Sequence, residues 1–113
     1  MKPFLSRAFL GLALAVFGFV PLIRAEDPNF TISIKDHIFT PNRLEVPANV
    51  RFKLIVINHD TTPEEFESYD LNREKIVVGG GQISLFIGPL EPGEYHYFGE
   101  FNPNLAKGII AAR

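Results

Sequence analysis

The sequence contains no cysteine and no tryptophan, and its only methionine is Met1. Without cysteine, the chain cannot form a disulfide, and it offers neither a thiol nucleophile nor a thiolate ligand for a metal. Beyond Met1 there is no sulfur ligand of any kind. A metal site in this chain must therefore be built from nitrogen and oxygen donors, and the fold must be stabilised by its apolar core.

The chain also lacks an excess of positive charge. Eleven Lys and Arg residues stand against thirteen Asp and Glu residues, which gives a net charge of −2 with neutral histidines. Nucleic-acid binding requires a strongly basic surface, because the phosphate backbone supplies most of the affinity. We therefore expect no nucleic-acid partner, and an acidic domain of this kind is better suited to a cation or a basic partner.

The first 25 residues predict a cleaved signal peptide. Lys2 and Arg7 give a positive start, an apolar stretch runs from Ala8 to Ile23, and Ala25 is a small residue at a cleavage position. The apolar stretch has 16 residues, fewer than the roughly 20 that a membrane-spanning helix needs. We expect export and a mature domain of residues 26–113. Cleavage removes three basic residues and no acidic one, so the mature net charge is −5.

Short segments of alternating apolar and polar residues, such as Phe30–Ile34 and Ile83–Ile87, follow the predicted signal peptide. This alternation is typical of strands with one buried face. Val50–Asn58 is apolar in both phases and predicts a central strand covered on both sides, and Glu64–Tyr69 predicts a short exposed strand. No segment of the mature chain has sustained helical periodicity. Seven or eight short strands predict a single all-β domain, an antiparallel β-sandwich.

Several motifs resemble those of cupredoxins, a family of small copper proteins. The first half of the resemblance is carried by Phe39-Thr40-Pro41, Leu44-Glu45-Val46 and Asn58-His59-Asp60. The second half is carried by Gly88-Pro89-Leu90 and by the strand Gly93–Phe98. The resemblance covers nearly all of residues 30–113. It implies a cupredoxin-like Greek-key antiparallel β-sandwich.

The same resemblance shows that the blue-copper ligands are missing. The first His of that site would fall near Glu65, the Cys at Gly99, the second His near Asn102 and the Met near Ala106. A blue-copper site needs two His, a Cys and a weak axial ligand, and none of them stands at these positions. A conventional blue-copper electron-transfer role is therefore not expected.

A subgroup of cupredoxin-like domains that accompany bacterial periplasmic ferrous-iron uptake systems is more similar in detail. The shared phrases are Thr62–Ser68, Glu74–Val77 and Phe98–Phe101. The resemblance implies a periplasmic protein that binds copper and/or iron through a carboxylate-aromatic-carboxylate unit. It would oxidise Fe(II), an accessory enzymatic role, or deliver iron to a membrane iron permease, with a periplasmic iron-binding protein as a further partner. Relatives often carry His-Pro where this chain has Asn102-Pro103, a departure that either weakens the site or shows that this ligand is dispensable.

Glu65 and Glu67 are the first candidate metal ligands. Residues two apart on a strand point to the same face, so the two carboxylates lie together and Phe66 points the other way. Paired carboxylates repel each other, and a divalent cation between them relieves the repulsion. The alternative is a solvated strand edge without a metal. Glu64 is expected to be a surface residue.

Three further residues are candidate ligands. His96 lies on an aromatic strand and is either exposed or a ligand, and imidazole suits Cu(II), Fe and Zn. His37 is a ligand or an exposed loop residue, and Glu100 is an oxygen ligand or a loop cap. His59 is expected to be a turn residue and is not assigned to the site. The predicted metal-binding set is Glu65, Glu67, His96, His37 and Glu100.

Two other functions are consistent with the sequence. One is a binding or assembly module that keeps the sandwich, uses no metal and contacts a partner through its Phe/Tyr-rich end. The other is a periplasmic copper buffer or chaperone with no connection to iron. Stoichiometric metal binding that depends on Glu65 or His96 would separate the metal-binding hypotheses from the assembly module.

Overall fold

Nine β-strands form in the computed structural model, which describes residues 26–113. The strands are β1 (Asn29–Lys35), β2 (Ile38–Thr40), β3 (Arg43–Val46), β4 (Phe52–Asn58), β5 (Glu64–Ser68), β6 (Arg73–Val77), β7 (Gln82–Ile87), β8 (Gly93–Gly99) and β9 (Lys107–Ala112). Within that range no helix is long and apolar enough to cross a membrane. The predicted signal peptide, residues 1–25, lies outside the described residues. The all-β prediction is confirmed.

The strands pair into two sheets that pack as a sandwich. One sheet has the order β2-β1-β4-β7, and the other has the order β3-β9-β8-β5-β6. Two pairings are parallel, β1 with β4 and β3 with β9, so the antiparallel sandwich predicted from the sequence has mixed sheets. They arise because the chain leaves the first sheet after β2 and contributes β3 to the second sheet before it returns as β4. As predicted, the Val50–Asn58 segment supplies a central strand, β4.

Three aromatic rings form the centre of the core between the sheets. Phe66 and Tyr97 stack with their ring centroids 5.2 Å apart, and Phe39 meets the Tyr97 ring edge-on at 5.0 Å. All three side chains are buried. Tyr97 lies so close to β9 that a Cβ on Gly108 would come within 2.1 Å of the ring carbon Cζ. These inward-facing aromatic side chains therefore determine how β5 and β8 of one sheet pack against β2 of the other.

Strand β5 differs from its expectation. The segment was predicted to be a short exposed strand, but it lies inside the five-stranded sheet between β8 and β6. Glu64, Phe66 and Ser68 are buried, whereas Glu65 and Glu67 point to the outer face and are half-buried. The Ser68 hydroxyl donates to the carbonyl oxygen of His96 at 2.7 Å. The polar composition of this strand predicted an exposed position, but its inward polar side chains, Glu64 and Ser68, form hydrogen bonds with β8 and with the segment that follows β8.

The ring cluster predicts a contrast between two phenylalanines. Phe39→Ala removes a ring that is 1% exposed, and we expect it to lower the free energy of unfolding by about 3–5 kcal/mol. The matched change is Phe86→Ala, which removes a ring that is 47% exposed and lies under the Arg51 guanidinium. We expect it to cost about 1 kcal/mol or less. Urea denaturation measures both values, and equal losses would contradict this description of the core.

Candidate metal centre

Three carboxylates gather on the outer face of the five-stranded sheet. Glu65 and Glu67 project from β5, and Glu74 projects from β6, directly opposite Glu67 in the antiparallel register. One carboxylate oxygen from each lies within 4.8 Å of the other two. Among the described residues these three form the only group of three or more His, Cys, Asp or Glu side chains that meets this spacing. We call Glu65, Glu67 and Glu74 the acidic cluster.

The electrostatics of the cluster centre on Glu67. Partial burial, followed by the carboxylates of Glu74, Glu65 and Glu100, raises the pKa of Glu67 above its ordinary value. Its oxygen Oε2 is buried and has no hydrogen-bond partner in the described part of the chain. An unpaired buried oxygen amid like charges is unfavourable unless a proton or a cation neutralises it. The donor set therefore fits a cation that prefers oxygen ligands.

Glu100, which the sequence predicted as a ligand together with Glu65 and Glu67, lies close to this cluster. Glu100 follows the last residue of β8, and its backbone N–H donates to the carbonyl oxygen of Glu65 at 2.9 Å. Its charge is one of those that raise the pKa of Glu67. Glu100 is therefore placed to contribute a fourth carboxylate, and its role as a ligand stays a prediction.

His96 lies on the outer face of β8, outside the acidic cluster. It is exposed, as its phase predicted, and its backbone N–H donates to Asp70 Oδ2 at 2.7 Å. The residue lines a groove of about 590 Å³ that also contains Arg43 and Lys107. Those two cations make the groove unlike a cation site. The role of His96 as a ligand stays a prediction, and its position beside Arg43 and Lys107 and away from the acidic cluster does not favour it.

His37 lies in the turn between β1 and β2 with a positive φ of 63°. Its backbone N–H donates to Asp60 Oδ2 at 2.9 Å, and its ring nitrogen Nδ1 lies 3.6 Å from the same oxygen. A separate cavity of about 340 Å³ has both His37 and His59 in its lining, and none of the acidic cluster. His59 lies in the predicted turn, where Asp60 N–H donates to Asn58 Oδ1 at 3.0 Å. His37 as a ligand also stays a prediction.

The inner end of β5 and β8 shows why a blue-copper centre does not fit. The cupredoxin resemblance places three of that centre's ligands at or near Gly99, Asn102 and Ala106, and these residues do surround one point. That point is occupied by the carboxylate of Glu64, which is 1% exposed rather than on the surface as expected. Its oxygen Oε2 accepts a hydrogen bond from Asn102 Nδ2 at 2.9 Å. The inward position on this strand thus belongs to Glu64 and not to Glu65, and no nitrogen or sulfur ligand is present there.

Glu74 was not among the ligands predicted from the sequence, although a hairpin between the segments of Glu67 and Glu74 could have indicated it. A strand pair joined by the short turn at 69–72 places Glu67 opposite Glu74 once the register is known. The carboxylates therefore form a three-residue group across two strands rather than a pair on one strand. Such a group can hold one hard cation with several oxygen atoms and leave further positions open to water or to a partner.

Comparisons with known proteins agree with the fold. A family model for the cupredoxin-like domain matches residues 7–112. An uncharacterized protein of Rickettsia prowazekii (strain Madrid E) is 51% identical over 79 residues, which are 70% of this chain and 63% of that protein. The chain therefore matches less than two thirds of the length of this relative.

Several solved structures have a similar fold. A reduced amicyanin mutant has a TM-score of 0.63 at 17% identity, with 80% of this chain and 87% of that chain covered. A purple cupredoxin from Nitrosopumilus maritimus has a TM-score of 0.59 at 20% identity, with coverages of 77% and 100%. A copper-binding protein in its apo form has a TM-score of 0.69 at 14% identity, with coverages of 81% and 93%. At these identities the likeness supports the fold.

The raised pKa of Glu67 predicts a pH-dependent stability of the metal-free protein. The folded chain holds this proton more tightly than the unfolded chain, whose ordinary value is 4.5. The contribution to stability is therefore present below that value and is lost as the pH rises through the raised pKa. We expect Glu67→Gln to raise the melting temperature at neutral pH and to lose this advantage as the pH falls to about 4.

Thermal unfolding followed by circular dichroism in the presence of a chelator measures this effect. Glu91→Gln is the matched control, because Glu91 is exposed on the turn before β8 and lies outside the cluster. A Glu67→Gln protein no more stable than the wild type at neutral pH would contradict the electrostatic description of the cluster.

Proposed function

The chain belongs to the cupredoxin-like domain family, and on that premise we propose that it binds copper and/or iron at the acidic cluster rather than at a blue-copper centre. One observation carries this proposal. Three carboxylates lie within 4.8 Å of one another, and one of their oxygens is buried without a partner. The bound metal is cargo or substrate in an exported, periplasmic protein.

The donor chemistry supports a hard or borderline cation. The cluster offers oxygen atoms, with a fourth carboxylate from Glu100 beside it, and the mature chain contains no sulfur ligand. Oxygen donors suit hard cations best and are also accepted by Cu(II) and iron, whereas Cu(I) prefers thiolate and thioether ligands. The mature net charge of −5 would also attract cations to the surface.

The proposal extends to ferrous-iron uptake. Its support is the resemblance of Thr62–Ser68 and Phe98–Phe101 to the iron-uptake subgroup, because these segments contain Glu65, Glu67 and Glu100. A partly exposed cluster allows a metal to enter and leave, which suits transfer to a periplasmic iron-binding protein or a membrane permease. Carboxylate ligands favour Fe(III) over Fe(II), so iron held there would lose an electron more readily to a copper or dioxygen acceptor.

A second candidate function is supported by a different surface. Phe101 and Leu105, in the connection between β8 and β9, are 48% and 57% exposed. Exposed apolar side chains at one end of a sandwich can contact a protein partner without any metal. This assembly-module hypothesis predicts that loss of the acidic cluster has no effect on partner binding.

The metal hypothesis predicts stoichiometric binding that the acidic cluster controls. Titration calorimetry of residues 26–113, which contain all nine strands, with Cu(II) and anaerobically with Fe(II) should show a dissociation constant of about 1 μM or tighter. The variant Glu65→Gln/Glu67→Gln should weaken binding by about tenfold or more, because two of the three carboxylates are lost. A Fe(II)-loss assay with and without copper then separates iron uptake from copper buffering.

The matched control is Glu26→Gln/Glu91→Gln, which removes the same charge from exposed positions outside the cluster. It should bind metal like the wild type. A His96→Ala variant completes the series. If His96→Ala abolishes binding and the Glu65/Glu67 variant does not, the metal lies in the groove of β8 and the acidic-cluster proposal is wrong. If the wild type binds neither metal, the assembly-module function takes its place.

A further inference from the structure

Glu64 is a buried carboxylate whose charge is compensated by hydrogen bonds alone. It is 1% exposed, and no salt bridge of the described residues includes it. Oε1 accepts from the backbone N–H groups of Glu65 and Phe101 at 2.9 and 2.8 Å, and Oε2 accepts from Asn102 Nδ2 at 2.9 Å. A carboxylate leaves water at a high cost unless such donors replace its hydration. Two of these donors come from the connection between β8 and β9.

Gly99 leaves the space that this carboxylate occupies. A Cβ on Gly99 would lie 2.5 Å from Glu64 Cδ, 2.7 Å from Glu64 Oε2 and 2.7 Å from Ala106 Cβ. Gly99 does not have a positive φ, which among the glycines of residues 26–113 occurs at Gly80, Gly88 and Gly93. Any L residue could therefore adopt this backbone, and glycine is required because there is no room for a side chain.

Asn102 joins this carboxylate to the rest of the connection. Its backbone carbonyl accepts the N–H groups of Leu105 and Ala106 at 3.1 and 2.9 Å, and its own N–H donates to Gly99 at 3.1 Å. Gly99 N–H in turn donates to the Ala106 carbonyl at 2.9 Å. Anchoring the Asn102 side chain and the Phe101 backbone on Glu64 thus fixes the whole segment between β8 and β9.

We propose that the Glu64 carboxylate is a built-in anion that organises the β8–β9 connection and fills the interior point at which the cupredoxin resemblance places a metal. Three residues accommodate this carboxylate. Gly99 leaves space for it, Asn102 donates a side-chain hydrogen bond to it, and Ala106 packs beside it. The connection is therefore ordered without a metal, and the interior of the sandwich is closed to one. This inference is independent of metal binding at the acidic cluster, which lies on the other side of β5.

A swap of hydrogen-bonding partners tests the central contact. Asn102→Asp alone places a second carboxylate against Glu64 and should reduce the folding equilibrium constant by at least about tenfold. In Glu64→Gln/Asn102→Asp, the amide can donate to the new carboxylate while its oxygen keeps the two backbone donors. The double variant should recover most of the lost stability in urea denaturation of the metal-free chain. Asn102→Asp with wild-type stability, or no recovery in the double variant, would overturn the proposal.

Packing gives a second test that does not depend on charge. Gly99→Ala should destabilise the wild type by more than it destabilises a Glu64→Ala protein, because the alanine at position 64 removes the clash with the carboxylate and leaves only the contact with Ala106. Amide hydrogen exchange in Glu64→Ala should accelerate by a larger factor at residues 101–106, apart from Pro103, than in β1 and β4, where exchange follows global stability. Equal effects of Gly99→Ala in both backgrounds, or unchanged exchange in the connection, would show that Glu64 does not hold it. All of these readouts are taken without metal, so their failure is distinct from a failure to bind copper or iron.

Discussion

The burial of the Glu64 carboxylate is the constraint on which the candidate site and the β8–β9 connection depend. Because Glu64 points inward and bonds to the β8–β9 connection, the next residues of β5 alternate, and Glu65 and Glu67 point outward. One strand therefore carries an inner carboxylate that accepts three hydrogen bonds and two outer carboxylates, one of which, Glu67, has a buried oxygen without a partner in the described part of the chain. Glu64 stabilises the β8–β9 connection. Glu65 and Glu67, with Glu74 beside them, are positioned to bind a cation.

Much of the fold could be predicted from the alternation of apolar residues and from turn spacing. The central position of β4 was predictable because its residues are apolar in both phases. The position of β5 was not, since a strand made of glutamates is read as exposed until the donors for its inward side chains are known. The parallel pairings of β1 with β4 and β3 with β9 depend on how strands cross between sheets, and no local pattern records that choice.

The candidate site was only partly accessible from sequence for related reasons. The shared face of Glu65 and Glu67 follows from spacing alone, whereas Glu74 joins them only through the strand register. Histidines attract attention as metal ligands because imidazole suits many metals, but His96 lies beside cationic residues and His37 lies in another cavity. Which candidate ligands lie close together depends on long-range packing, and the composition and spacing of the sequence do not reveal that packing.

Paramagnetic NMR mapping distinguishes metal binding on the outer face of β5 and β6 from metal binding inside the sandwich. Cu(II) would be added in small amounts to the isotope-labelled protein, and the backbone amide signals would be followed by NMR. We expect the amides of residues 73–77 in β6 and 65–67 in β5 to broaden first, while those of residues 35–38 and 107–109 persist. Broadening that begins at Asn102 and Ala106, or around His96 and Lys107, while β6 remains sharp would contradict binding at the acidic cluster.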